Sequence, residues 1–308
     1  MAKRGPKHGH IMGIKVNSTS RQEVLNFVRM RLKTKERFYI VTPNPEIVLM
    51  AMRDWLLKKA IFKSDVSIAD GIGLSMAHKY LDVLPDFEDG ILRIPKLFLQ
   101  GLKVGMSIFN NKEWLTKELP VIKGRELFLD IIKIANEKKL KVYFFGGEHG
   151  EQVKAIEVLK QKYKNIFFKT NKEFPIYDKN CRPVTERDRL LHKKILGDIK
   201  LFEPDLVFVA LVPPKQEKWI LRNFFYLRAR GAMAVGGTFN FISGNAKLPP
   251  KWMEKFGLEW VWRIISEPFN FWIRVKRVFN AFPKFPWIVF ISKIKRKKYD
   301  STFSVIEK

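Results

Sequence analysis

Four stretches of this chain are apolar at almost every position: FYIVTP (38–43), KVYFFGG (141–147), DLVFVAL (205–211) and AMAVGG (232–237). A strand with one wet face alternates apolar and polar residues, because successive side chains point to opposite sides. Strands without that alternation must be covered on both faces, the condition of a parallel sheet packed between helices. The runs between them carry helical periodicity. Ser20–Glu23 (SRQE) is a capping box ahead of Val24, Leu25, Phe27, Val28 and Leu32 at helical spacing. PEIVLMAMRDWLLKKAIF begins a helix with Pro45 in its first turn. RELFLDIIKIANEKK, EQVKAIEVLKQKY and QEKWILRNFF read as further helices, and VSIAD (66–70) and NIFFKT as further strands. The expected fold is α/β: a Rossmann-like, mostly parallel sheet with helices on both faces, plus a C-terminal helical appendage.

Two segments break the rhythm. Residues 82–118 carry GILRIPKLFLQGLKVGMSIF, an apolar stretch dotted with Arg93, Lys96 and Lys103. From Arg263 to Lys298 there are ten Lys or Arg against one acid, Glu267, together with eight Phe or Trp. Cations mixed with aromatics suit an interfacial membrane helix, since the rings settle at headgroup depth and the cations meet anionic lipid. A helix packed on the core and an RNA-binding surface are the competing readings, and the membrane is favoured. The expected organisation is a disordered basic tail (1–10), an α/β core (11–245, with the 82–118 insertion) and a membrane-associating appendage (246–308). The whole chain has 58 Lys and Arg against 31 Asp and Glu, a formal charge of +27, so an anionic partner is expected. The single cysteine, Cys181, excludes an intrachain disulfide and a Cys-built zinc site and fits a reducing cytoplasm. No uncharged apolar run is long enough to span a bilayer, so attachment would be peripheral.

In a parallel sheet, ligands collect beyond the carboxyl ends of the strands. Five segments are placed to meet there: Thr42–Glu46, Asp70–Gly71, Gly146–Gly147, Pro213–Glu217 and Gly236–Thr238. Each has a bland explanation alone. The glycines can simply supply turns, Thr42 or Asn44 can cap a helix, and Asp70 can cap the one beginning at Gly71. Together they suit a nucleotide-activated substrate, because glycine turns bring N–H groups close to phosphate. Thr42, Asn44 and Gln216 can hydrogen-bond sugar hydroxyls or a uracil edge. Neither GxGxxG nor GxxxxGK[ST] is present, which disfavours a dinucleotide oxidoreductase or a P-loop NTPase. The five histidines are scattered, and no metal site or cofactor is expected.

TPNPEIV, ADGIG, KGREL, FFGG, VFVALVPPKQEKWI and GGTFNFISGNAKLPPKWMEKFGLEWVWRIISEP stand in this order. In these motifs, over roughly residues 11–275 apart from 82–118, the chain resembles the WecG/TagA/CpsF glycosyltransferases, glycosyltransferase family 26. The resemblance implies an inverting, metal-independent transferase moving N-acetylmannosamine, or a related sugar, from its UDP donor to polyprenyl-diphosphate-linked N-acetylglucosamine. The implied setting is the cytoplasmic face of the membrane, in synthesis of wall teichoic acid or surface polysaccharide. It further implies Asp70 as the catalytic base, with Thr42, Asn44 and Gln216 close to the sugars. Arg263, Arg274 and Arg277 of the appendage would stabilise the leaving diphosphate. Gly146, Gly147, Gly236, Gly237 and Arg125 complete the expected substrate-binding set. Departures from the family pattern are Asn240 for Asp, Val121 for Arg, and Phe269–Asn270 where a basic residue often follows EP. Arg125 is the candidate to compensate for Val121. The 82–118 segment is longer than usual and is expected to act as a second membrane-contacting or acceptor-lid element. Other readings left open are another donor (UDP-glucose or UDP-N-acetylmannosaminuronic acid) and, ranked low, a non-catalytic basic protein binding RNA or membrane. Nucleic acid is disfavoured, and self-association stays undecided.

Overall fold

The structure, a computed structural model, describes residues 8–84, 92–148, 150–266, 275 and 282–295. Strands β1 (His8–Ile11) and β2 (Ile14–Asn17) form an antiparallel hairpin through Met12 and Gly13, both at positive φ. Residues 8–10, expected in the basic tail, therefore belong to a strand. Ile11, Ile14 and Val16 are buried and pull the hairpin onto the core, and the His10 ring stacks on Phe62 at 5.3 Å. Residues 1–7 lie outside the described residues.

Helix α1 (Arg21–Thr34) begins at the expected capping box. The Ser20 side chain accepts from the Glu23 N–H, and the Glu23 carboxylate accepts from the Ser20 N–H. Its buried positions are the five apolar residues of the sequence pattern. After β3 (Phe38–Val41), the run expected as one helix from Pro45 is two: α2 (Pro45–Ala51) and α3 (Trp55–Phe62). The break comes at Asp54, whose carboxylate accepts from the Leu57 N–H at 3.1 Å as the N-cap of α3 and also pairs with the buried Lys218 ammonium. Then follow β4 (Val66–Ser67), α4 (Ile72–Asp82), α5 (Arg93–Asn110) and α6 (Lys112–Thr116), the last two within the insertion. The remaining core comprises α7 (Gly124–Glu137), β5 (Lys141–Gly146), α8 (Glu151–Lys162), β6 (Phe167–Thr170), α9 (Glu186–Phe202), β7 (Leu206–Ala210), α10 (Lys215–Asn223) and β8 (Gly231–Ala234). Short helices α11 (Thr238–Ile242), α12 (Lys251–Lys255) and α13 (Glu259–Ser266) follow, and α14 (Lys284–Ile294) packs back on the core.

The main sheet has six parallel strands in the order β4-β3-β8-β7-β5-β6. Its two faces feed two separate buried clusters. Tyr39, Val41, Tyr143, Phe145, Val207 and Val209 enter one; Phe38, Ile40, Val142, Phe144, Leu206 and Phe208 enter the other. This is why the strands show no polar alternation: both sides are interior. Phe285 and Val289 of α14 belong to the first cluster, so part of the segment expected as an appendage is core. Because every strand is parallel, all carboxyl ends share one edge. The last strand, β8, sits at the centre between β3 and β7, and in a sheet of this kind ligands collect in the crevice beyond the carboxyl edge.

Candidate active site

The crevice is built first from backbone. Leaving β4, the Asp70 N–H donates to Pro43 O at 2.9 Å, which ties the β4 exit to the β3 exit. Ile122 N–H donates to Ala69 O at 3.1 Å, bringing the start of α7 to the same place. The N–H of Gly124, first residue of α7, then donates to Asp70 Oδ1 at 3.3 Å. The carboxyl thus meets the positive end of a 14-residue helix. Helix α4 has Gly71 as its N-cap, at φ +102, with no side-chain cap. The N-cap position of α4 thus falls on Gly71 and not on Asp70, whose side chain is half-buried at the rim. Gly71 supplies the turn that a residue with Cβ adopts only under strain.

Thr42 lies beside this carboxyl and is almost buried. A Cβ at Gly124 would stand 3.3 Å from Thr42 Cγ2, so a small residue there lets the N-terminus of α7 close over Thr42. Asn44 is the N-cap of α2, its Oδ1 accepting from the Ile47 N–H at 2.9 Å. Its capping role is structural, and its half-exposed position keeps it on the rim.

Arg125 points across the crevice. Its guanidinium pairs with Glu254 of α12 at 2.9 Å and lies 5.1 Å from the centre of the Phe241 ring of α11. Lys123 pairs with Glu254 at 3.2 Å and with Glu259 of α13 at 2.9 Å. Burial works against the Lys123 ammonium, but its contacts with Glu259 and Glu254 outweigh this and hold its pKa above the ordinary lysine value. The turn that donates to Asp70 therefore carries two cations, both held by acids from beyond residue 246. Sequence reasoning took Arg125 from KGREL but missed Lys123, Gly124, Glu254 and Glu259. The available signal was a glycine between two cations just ahead of a helix.

The other half of the rim is closed. A Cβ at Gly146, φ +87, would stand 2.5 Å from Ala210 O, and one at Gly147 would stand 2.9 Å from Gln152 Oε1. These two expected binding glycines are required by packing between β5, β7 and α8. Gln216 is 2% exposed; its Oε1 accepts from the Gly236 N–H and its Nε2 donates to Glu217 Oε1, both at 2.8 Å. Rather than standing in the crevice, it braces the Gly236 turn from below. Glu217 is fully buried and its pKa is pushed up to about 7 by burial, against the opposing pull of Gln216 and Lys218. Gly236 and Gly237 differ from the β5 pair: nothing lies within 4 Å of a Cβ built on either, so they border open space.

Arg263 lies on α13, while Arg274 and Arg277 lie outside the described residues. Asp65, the nearest acid in sequence, sits before β4 at the opposite edge of the sheet, accepting from the Tyr39 N–H at 3.0 Å. Five residues of extended chain separate it from Asp70 by roughly 16 Å, so the two do not converge on one ion. Among the described residues, no three His, Cys, Asp or Glu side chains are grouped to hold a metal.

A half-buried carboxylate at a helix N-terminus, beside two cations and an open glycine turn, can take a proton from a hydroxyl while anionic groups bind nearby. Comparison with known proteins identifies the family. A sequence profile of the glycosyl transferase WecG/TagA/CpsF family matches residues 9–109 and 101–299. A relative from Bacillus subtilis (strain 168) is 28% identical over 267 residues, 86% of this chain and 82% of its own length. One from Staphylococcus aureus (strain MW2) is 26% identical over 290 residues, 94% of each chain. Both are named N-acetylglucosaminyldiphosphoundecaprenol N-acetyl-beta-D-mannosaminyltransferase. With the profile spanning most of its length, the chain belongs to the WecG/TagA/CpsF family of glycosyltransferases.

Proposed function

We propose that this glycosyltransferase moves N-acetylmannosamine from UDP to the hydroxyl of a polyprenyl-diphosphate-linked N-acetylglucosamine, with inversion and without a metal ion. The observation that carries this reading is Asp70: a rim carboxylate, half-buried, that accepts from the Gly124 N–H at the N-terminus of α7. Asp70 removes the proton of the acceptor hydroxyl as its oxygen attacks the anomeric carbon. The bond from that carbon to the β-phosphate oxygen breaks, and UDP leaves with the bonding pair. A single-displacement reaction needs one base and inverts the centre. The developing diphosphate charge falls to cations and N–H dipoles, with Lys123 and Arg125 the described candidates and Arg263, Arg274 and Arg277 the further ones. The donor sugar and the acceptor follow the names of the relatives. Among the described residues no helix is long and apolar enough to cross a membrane. Attachment is proposed to be peripheral, on the inner face, where a lipid-linked acceptor is reached from the cytoplasm.

The test is turnover with a panel of UDP-sugars and a short-chain polyprenyl-diphosphate-GlcNAc acceptor, with no added metal. Transfer from UDP-N-acetylmannosamine that persists in EDTA and collapses in Asp70→Asn is the expected result. Transfer undiminished by that substitution rejects Asp70 as base; loss in EDTA rejects the metal-free reaction; preference for UDP-glucose or UDP-N-acetylmannosaminuronic acid rejects the donor.

A further inference from the structure

Helix α5 has the wrong face outward for a helix that meets only water. Its inner side buries Leu97, Val104 and Ile108. At about 100° per residue, the residues opposite and beside that side should be polar in a soluble protein. Instead Ile94, Phe98, Leu99, Leu102, Met106 and Phe109 are each between 49% and 63% exposed. They fill an arc of about 140°, and Lys96 and Lys103 come next around the helix, both exposed. The helix contains no acid.

The face is also rigidly backed. The Lys293 ammonium of α14 is inserted between α4 and α5, donating to Tyr80 O, to Val83 O at 2.7 Å and to Gln100 Oε1 at 2.7 Å. Arg93 donates to Ile294 O at 3.1 Å, and the Phe98 and Phe290 rings meet edge-on at 6.1 Å. Helix α14 likewise contains no acid and exposes Trp287, an aromatic suited to headgroup depth. At the other end, Phe109 lies 5.1 Å from the Phe256 ring. A Cβ on neighbouring Gly257 would touch both Ile108 and Ile72, the second residue after Asp70. The apolar arc therefore runs up to the elements that frame the crevice.

We propose that α5, braced from beneath by α14, is the surface on which this protein lies in an anionic lipid bilayer. The outward arc sinks among acyl chains while Lys96 and Lys103 stay with the headgroups. The insertion, rather than the C-terminal segment alone, is then the membrane-contacting element. Charge chooses this occupant over a second copy of the chain: two faces whose helices α5 and α14 carry lysines and no acid, on a protein with formal charge +27, would oppose cation to cation. An anionic surface complements them. The proposal rests on the lipid-linked acceptor only for its orientation, which aims the crevice along the membrane so that a diphosphate headgroup reaches Asp70 from the α5 side.

The test is flotation of the full chain with phosphatidylcholine vesicles, with and without phosphatidylglycerol, at physiological salt. The parent is expected to float with the anionic vesicles. Leu102→Glu/Met106→Glu, at exposed positions, is expected to lose at least about tenfold in partitioning, with thermal melting and transfer to a short-chain acceptor unchanged. Lys96→Ser/Lys103→Ser keeps the apolar arc and is expected to lose roughly fivefold per lysine on anionic vesicles only. A glutamate variant that floats like the parent overturns the proposal. So does one whose only change is a smaller mass by light scattering, which would assign the face to a second copy. Flotation is scored independently of turnover, so failure of transfer in the parent counts against the proposed chemistry alone.

Discussion

The two halves of the sheet's carboxyl edge are built from similar residues and end in opposite states. On the β5–β7 side, Gly146 is packed against Ala210 and Gly147 against Gln152, while Gln216 is bonded to the buried Glu217. On the β3–β4 side, Thr42, Asp70 and the Lys123–Arg125 turn frame a crevice faced by the open Gly236–Gly237 turn. The two are linked, since Gln216 holds Gly236 by its N–H. The difference shows that glycine and amide residues at strand ends serve two separate purposes here. One half is a brace that sets the height of the β8 turn; the other carries the charge.

The strongest way to break this division is Asp70→Asn. It removes the only base assigned to the open half and is expected to lower kcat about 10²–10⁴-fold with melting unchanged. A comparable loss from a substitution confined to the closed half would erase the distinction.

Glu217→Gln sharpens it from the other side through stability. Glu217 titrates at about 7 in the folded chain, against 4.5 ordinarily, because burial disfavours its charge. Between those values the folded state holds more proton than the unfolded one. The stability contributed by the protonated group is full below pH 4.5, is lost as pH rises through 7 and stays lost above it. The neutral amide should remove that slope and stabilise the protein above pH 7 by roughly 3 kcal/mol, read from chemical denaturation between pH 4.5 and 8. A pH dependence that persists in the variant would mean that Glu217 is not its source.

Smaller effects are expected where the halves meet the C-terminal elements. Arg125→Ala should raise KM for the UDP donor about tenfold, the scale of one lost charge-assisted hydrogen bond. Glu254→Gln should cost little in KM, since it removes Arg125's partner and not its charge. If both variants lose stability equally and neither changes KM, Arg125 is a strut between α7 and α12 and no part of the open half.

Much of the fold is legible residue by residue. The apolar strands announce burial on both faces, and the Ser20–Glu23 capping box marks the start of α1 where it is found. Other features depend on partners distant in sequence. The break between α2 and α3 is stabilised by Lys218, and the pairing of β1 with β2 depends on a core that its own residues do not reveal. Helix α9 went unread because its surface is mostly polar and its buried residues are few: Asp188, Ile195 and Ile199. In the site, Asp70 and Thr42 stand where the motifs place them. Lys123, Glu254 and Glu259 were missed because a surface ion pair leaves no periodic mark.

The chain's pattern alone determines a parallel α/β sheet, a rim at its carboxyl edge and the acid that stands there. Burial on two faces and the period of two are local properties of each strand. Tertiary structure alone decides which strand-end glycines face open space and which face a carbonyl 2.5 Å away from an added Cβ. It also decides that Gln216 is a brace and that α5 turns phenylalanine and leucine outward. Each of these is set by what lies across a gap, and a gap is a distance between segments that their order along the chain does not specify.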